Sequence, residues 1–155
     1  MVKKVIDGVG KDADIVINEK GGKQSGSPMA MHLLDPCFLQ DIVTLDYTAP
    51  ISSIGEFMET GVKNYIWEAI NAIEDDEAKV LMRISKVLKE GEKKYTANNW
   101  RLIPQEEHIN HALIHLLAAE MGDTQDEHLD HALCRLMMAY ATDVSEDFDY
   151  NRYVG

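Results

Sequence analysis

HINHALIHLLAAEMGD (108–123) and HLDHALCRLMMAYATD (128–143) are two copies of one helical phrase, offset by 20 residues. In the first copy Ile109, Ala112, Leu113, Leu116 and Leu117 recur with the spacing of one helical face. In the second, Leu129, Ala132, Leu133, Leu136, Met137 and Tyr140 do the same. An internal repeat of this kind predicts a hairpin of two amphipathic helices that pair antiparallel through their apolar stripes. A polar stripe runs beside each: His108, His111 and His115 in the first copy, His128, His131 and Arg135 in the second. Near two-fold symmetry places both polar stripes on one side of the pair, which makes that side the candidate site. The link between the copies, Glu120-Met-Gly-Asp-Thr-Gln-Asp126, is rich in acid. Imidazoles and carboxylates together suit a divalent cation or a phosphate ester. Helix-borne histidines also cap, pack and hydrogen-bond without binding anything, so the pattern alone leaves both readings open.

With 155 residues the chain is long enough for one domain with a buried core. Its formal charge of -12 argues against long nucleic acid as a partner, because affinity for a phosphate backbone comes mainly from clustered Lys and Arg. A small anion held by a few local cations is compatible with that charge. Cys37 and Cys134 are too few and too far apart for a disulfide framework or a metal knuckle, and they read as reduced thiols of a cytosolic protein. No apolar run reaches membrane length, so no membrane partner is expected.

Outside the repeat, Val2–Ile6 and Ile15–Ile17 are short β-prone runs that predict a small hairpin or a loose arm. Residues 18–28, Asn-Glu-Lys-Gly-Gly-Lys-Gln-Ser-Gly-Ser-Pro, read as a loop. Its glycines, Lys20 and Lys23 could admit a phosphate, although the Walker A pattern is missing, and a flexible surface loop fits equally. From Ser52 a single apolar stripe through Ile54, Phe57, Met58, Val62, Tyr65, Ile66, Ala69, Ile70 and Ile73 predicts one helix over 52–74. Val80, Leu81, Ile84, Val87 and Leu88 predict another over 77–92. Residues 92–101 form a loop in which Tyr95 and Trp100 can stack on a base while Lys93, Lys94 and Arg101 meet phosphates. Trp100 can equally anchor that loop to the core. The expected fold is therefore all-α, with four main helices at 52–74, 77–92, 105–120 and 125–142, the last opened by a capping box at Thr124–Glu127. A small irregular or β-hairpin arm covers 1–17, and residues 144–155, acidic and aromatic without a period, predict a tail that docks on a neighbour or frays.

The order of several short motifs resembles the phage-type dATP/dGTP diphosphohydrolase domains, relatives of the MazG-like all-α nucleotide pyrophosphatases. The motifs are the Asn18–Ser25 stretch, Leu-Asp-Pro at 34–36, Gly91-x-x-Lys-Tyr95 with Asn-Asn-Trp-Arg101, and two His-x-x-His-Ala-Leu segments around Gly-Asp-x-x-Asp126. The resemblance covers 18–36 and about 78–143; the 52–74 helix looks like an insertion, and Thr96 stands where the family usually reads glycine. It implies hydrolysis of a purine deoxynucleoside triphosphate to monophosphate and pyrophosphate, in the host cytoplasm if the protein is phage-encoded. It also implies Mg²⁺ or Mn²⁺ as cofactor, with Glu120, Asp123 and Asp126 as metal ligands. Lys20, Lys23, Lys94 and Arg101 would grip phosphates, Asn99 and Trp100 would meet the base or sugar, and Asp126, His111, His115 and His131 would serve catalysis. The related enzymes are dimers or tetramers, and the wide stripe at 54–73 fits a homo-oligomer contact. Two other classes remain: a non-catalytic protein that sequesters a nucleotide, and a helical assembly protein.

Overall fold

The computed structural model describes residues 1–142, so the tail expected at 144–155 lies outside the described residues. The fold is mainly helical with one small β-hairpin. Strand β1 (Ile15–Ile17) pairs antiparallel with β2 (Lys23–Ser25), Val16 opposite Gln24. Six helices follow: α1 (Pro36–Asp41), α2 (Thr48–Thr60), α3 (Asn64–Ile73), α4 (Glu77–Tyr95), α5 (Gln105–Glu120) and α6 (His128–Ala141), with a 3₁₀ turn at Asn99–Leu102 between α4 and α5.

The repeat is the centre of this arrangement. Contacts between its helices step from Gln105–Ala139 through His108–Arg135 to His115–His128, so α5 and α6 run antiparallel. The buried residues of α5 run unbroken from His108 to Leu116, so the middle of the helix has no solvent face for its polar residues. Leu113, Leu116, Leu133 and Leu136 pack in the seam with Ala112 and Ala132, all at or near zero exposure. Helix α4 lies against α6 and is tied there by the Arg83–Asp130 ion pair; α3 joins through the edge-on contact of Trp67 with Tyr140.

The sequence reading of one helix over 52–74 is corrected: the segment is α2 followed by α3. Gly61 follows Thr60 with φ 71° and its N–H closes on the Phe57 carbonyl, the left-handed ending that glycine favours. The apolar stripe is thereby folded back on itself. Ile51, Ile54 and Phe57 of α2 and Ile66, Ala69 and Ile70 of α3 all enter the core of the same chain, so the stripe does not need a second subunit to cover it.

Two local expectations also change, while Val2–Ile6 forms no strand, in keeping with a loose arm. β1 finds its partner inside the glycine-lysine stretch, which is therefore a hairpin rather than a loose loop. The Asn18 side chain builds its turn, Oδ1 accepting from Lys20 N and Gly22 N while Nδ2 donates to the Leu102 carbonyl. The capping box is absent: α6 starts after Glu127 with no side-chain cap, and the Thr124 hydroxyl accepts from Lys3 N instead. In contrast, α4 is capped by Asp76, whose carboxylate accepts from Ala78 N and Lys79 N.

Thr96 ends α4 with φ 71° and ψ 154°, a region of backbone space that essentially only glycine enters without strain. A β-branched side chain there stores energy that the flanking helix and turn must hold. Thr96→Gly is expected to raise unfolding stability in urea by about 1 kcal/mol, the relief of strain exceeding the added flexibility of the unfolded chain. A loss of stability would show that the strain is not there.

Candidate functional site

The polar atoms of α5 have to find partners inside the protein, and the partners they find shape a cavity of about 610 Å³ above the α5–α6 pair. Its walls come from the hairpin (Lys23, Gln24, Ser25), the end of α4 and the following turn (Lys93, Lys94, Tyr95, Trp100), and the paired helices (His111, His115, His131, Arg135). Asp126 and the Val9–Lys11 segment close one side. Gly10, at φ 73°, lies so close to Asp126 that a Cβ there would sit 3.2 Å from the Asp126 Cβ, so this crossing requires glycine.

One side of the site is organised by Asp123. Its side chain is fully buried and accepts five hydrogen bonds, from Val5 N, Ile6 N, Gln125 N, Gln125 Nε2 and His128 Nε2, the last at 2.7 Å. Burial alone would raise its pKa; the His128 bond and then the amide bonds outweigh it and hold the carboxyl well below its usual range. Because an ionised carboxylate only accepts, His128 carries a proton on Nε2. His115 Nδ1 lies 2.9 Å from His128 Nδ1, so the two rings share one hydrogen bond. His131 stacks on His115, ring centroids 5.2 Å apart and 24° between planes, and its Nε2 reaches Asp126 Oδ1 at 3.3 Å. Asp126 is depressed to about 2: burial opposes ionisation, but the hydrogen bond and charge of His131 favour it.

The other side is organised by Arg135. Its Nη1 donates to Gln24 Oε1 at 2.9 Å and to His108 Nδ1 at 3.0 Å, while His108 Nε2 donates to the Trp100 carbonyl. Gln24 continues the chain to Glu107. Burial lowers the Arg135 pKa to about 10, so the guanidinium stays charged at neutral pH. His108 and His115 lie well below the ordinary histidine value, and His111 falls to about 3, each first through burial. These three imidazoles are neutral at pH 7.

Of the sequence-derived site residues, Asp126, His111, His115, His131, Lys23, Lys94 and Trp100 line this one cavity. Glu120, Asp123 and Asp126 do not face one common point. Both oxygens of Asp123 are occupied as described, and Glu120 accepts from Asp46 N and Tyr47 N, which holds the start of α2. Among the described residues, the donor atoms that do converge are those of His115, Asp126 and His128, all within 4.8 Å of one another. Asn99 is buried and braces the hairpin, Oδ1 accepting from Lys23 N and Nδ2 donating to the Gly21 carbonyl. Arg101 lies over the Trp100 ring at 4.1 Å, and neither it nor Lys20 is part of the cavity wall. His128 and Arg135, present in the polar stripes but assigned no role there, are the residues on which the two networks turn. Gln24 carried no sequence signal.

The family model described as dATP/dGTP diphosphohydrolase, N-terminal, matches residues 58–150. The chain belongs to this family. No curated protein and no solved structure matches. The dATP/dGTP diphosphohydrolase match contains α3 to α6 and with them Trp100, Asp126 and every histidine of the site, whereas the hairpin that supplies Lys23 and Gln24 precedes it. No helix among the described residues is long and apolar enough to cross a membrane.

The buried neutral histidines make stability depend on pH with a definite sign. His108 and His111 have folded pKa values below the ~6.5 of an unfolded histidine, so below that pH the unfolded chain takes up protons that the native state refuses. Stability is complete above about pH 6.5 and is lost on acidification, by about 1.4 kcal/mol per pH unit for each residue. Urea titrations should therefore show a loss of about 3 kcal/mol between roughly pH 7.5 and 5.5 from these two residues, with His115 acting in the same direction. Equal stability at the two pH values would mean that the imidazoles are not enclosed as described.

Proposed function

We propose that this protein hydrolyses purine deoxynucleoside triphosphates, dATP or dGTP, to the monophosphate and pyrophosphate with the help of Mg²⁺ or Mn²⁺. The observation that carries this reading is one cavity with cations and an aromatic ring on one wall and an ionised carboxylate beside imidazoles on the other. Its volume of about 610 Å³ falls within the roughly 300–1,000 Å³ of small-molecule sites. The family match supports the reaction class.

Each part has a task that its chemistry fits. Lys23 and Lys94 extend ammonium groups along the rim, and Arg135, fixed by Gln24 and His108, presents a preorganised guanidinium; together they offset a triphosphate's charge despite the acidic chain. Trp100, held by its carbonyl to His108, offers a face or edge for the base. Asp126 is the acid of the wall that would hold the cation, the rest of whose shell would come from water and phosphate oxygens, as is common for Mg²⁺. When bound, the cation neutralises phosphate charge and eases attack at the α-phosphorus. The neutral His111 can accept a hydrogen bond from the attacking water, while His131 keeps the Asp126 carboxylate in place. Lys20, Asn99 and Arg101 support the hairpin and Trp100 instead of meeting the substrate directly.

One observation favours the reading in which nucleotide is bound without turnover: Asp123 and Glu120 are occupied, leaving fewer acids at the cavity than the expected trio. Product analysis separates the two. Incubation with dATP or dGTP and Mg²⁺ or Mn²⁺ should yield the monophosphate and pyrophosphate on anion-exchange chromatography. Asp126→Asn should retain the melting temperature within a few degrees and lose roughly 100-fold or more in kcat, the loss expected when several kcal/mol of transition-state charge stabilisation go. Near-normal turnover by a folded Asp126→Asn protein would remove this residue from the mechanism. Stoichiometric binding with no product would establish sequestration instead.

A further inference from the structure

We propose that His115, His128 and Asp126 form a binding site for a transition-metal dication of the zinc, cobalt or manganese class, with Asp123 fixing His128 from behind. The proposal rests on the hydrolytic reading and narrows its two cations at Asp126 to the transition-metal one, Mn²⁺ or a relative, in place of Mg²⁺; it concerns the protein before any nucleotide arrives.

The geometry supports it in three ways. First, one donor atom from each of the three residues lies within 4.8 Å of the other two. Tetrahedral coordination at about 2.0–2.1 Å sets donors roughly 3.3 Å apart, so the two imidazole nitrogens, at 2.9 Å, already stand near that spacing. The Asp126 carboxylate lines the same cavity within that 4.8 Å reach. Second, the ligands are supported from outside. Asp123 accepts from His128 Nε2 at 2.7 Å, which orients the ring and turns its Nδ1 toward His115; a carboxylate behind a ligating histidine is the usual partner of such sites. His131 does the same for Asp126 at 3.3 Å. Third, the site lies in a largely enclosed position: His115 and His128 are 8% and 3% exposed, yet His115 and Asp126 face the cavity, through which an ion can enter.

Without the ion, a single proton lies between His115 Nδ1 and His128 Nδ1. Coordination replaces that hydrogen bond: the shared proton moves to His115 Nε2, both Nδ1 lone pairs turn to the metal, and neither imidazole loses a proton overall. The donor set of two imidazoles and one carboxylate suits borderline ions and does not suit Mg²⁺, which prefers oxygen ligands and gives up water reluctantly. A dication here and the Arg135 guanidinium would face an anion in the cavity together.

The test uses the whole chain, stripped with EDTA, and titrates CoCl₂ and MgCl₂ separately while recording heat and the visible d–d absorption of Co²⁺. One Co²⁺ should bind per chain with a ligand-field spectrum and a rise in melting temperature, and Mg²⁺ in large excess should not displace it. Asp126→Asn and His115→Gln should each weaken Co²⁺ binding by roughly tenfold or more. Should His115→Gln fail to fold, Asp126→Asn alone decides the matter, since its carboxylate lies at the cavity edge. Absence of Co²⁺ binding, Mg²⁺ binding as tight as Co²⁺, or unchanged Co²⁺ affinity in folded Asp126→Asn would each overturn the proposal. None of these readouts involves nucleotide, so their failure is distinct from a failure to form product.

Discussion

The buried carboxylate of Asp123 is the constraint on which the rest of the structure depends. A charge taken out of water is costly unless hydrogen bonds replace its hydration, and here five donors do so. Those donors come from three places: the N-terminal arm at Val5 and Ile6, the α5–α6 link at Gln125, and the first residue of α6 at His128. One acid therefore fastens the arm across the end of the helical pair, and the arm continues to Gly10, which lies against Asp126. The same acid fixes the direction of its bond with His128, whose Nε2 must donate because a carboxylate cannot, and so places the His128 Nδ1 toward His115.

A second constraint is the burial of the middle of α5. Four polar side chains there, those of His108, Asn110, His111 and His115, are buried and reach sideways. Asn110 accepts from Met31 N and donates to the Met29 carbonyl; His108 takes the Trp100 carbonyl and Arg135. Segments with no regular structure of their own are held in this way, and Trp100 with the hairpin is thereby brought over the cavity. An acidic protein obtains a locally cationic wall because its lysines stand on the hairpin and at the end of α4, while Arg135 projects from α6 between them.

The central helical pair was legible in the sequence, since two copies of an apolar stripe have few ways to be buried other than against each other. Helix α5 was readable to its ends, between Pro104 and the Gly122 turn. The division of 52–74 was not: the apolar spacing continues through Gly61, and periodicity is blind to a backbone that turns left-handed between two turns of the same stripe. Strand β2, Lys-Gln-Ser, has little strand propensity; it forms because Asn99 takes the Lys23 amide and Asn18 ties the turn before it to the Leu102 carbonyl, contacts between parts of the chain far apart in sequence. At the site, the chemistry of the stripes was readable but the use of the acids was not. Whether a carboxylate faces a cavity or collects backbone amides depends on where a distant arm lies, and nothing in Glu120-Met-Gly-Asp123 records that Tyr47 or Val5 will be there.

The tautomers of the histidines test this account most directly, because they follow from the position of one buried carboxylate. Long-range ¹H–¹⁵N correlation spectra of the EDTA-stripped protein at neutral pH distinguish an imidazole protonated at Nδ1 from one protonated at Nε2. The account predicts a proton on Nε2 of both His128 and His108, with the His108 Nδ1 bare. A His128 Nε2 without a proton would contradict it, because Asp123 would then not be the acceptor on which the site is built.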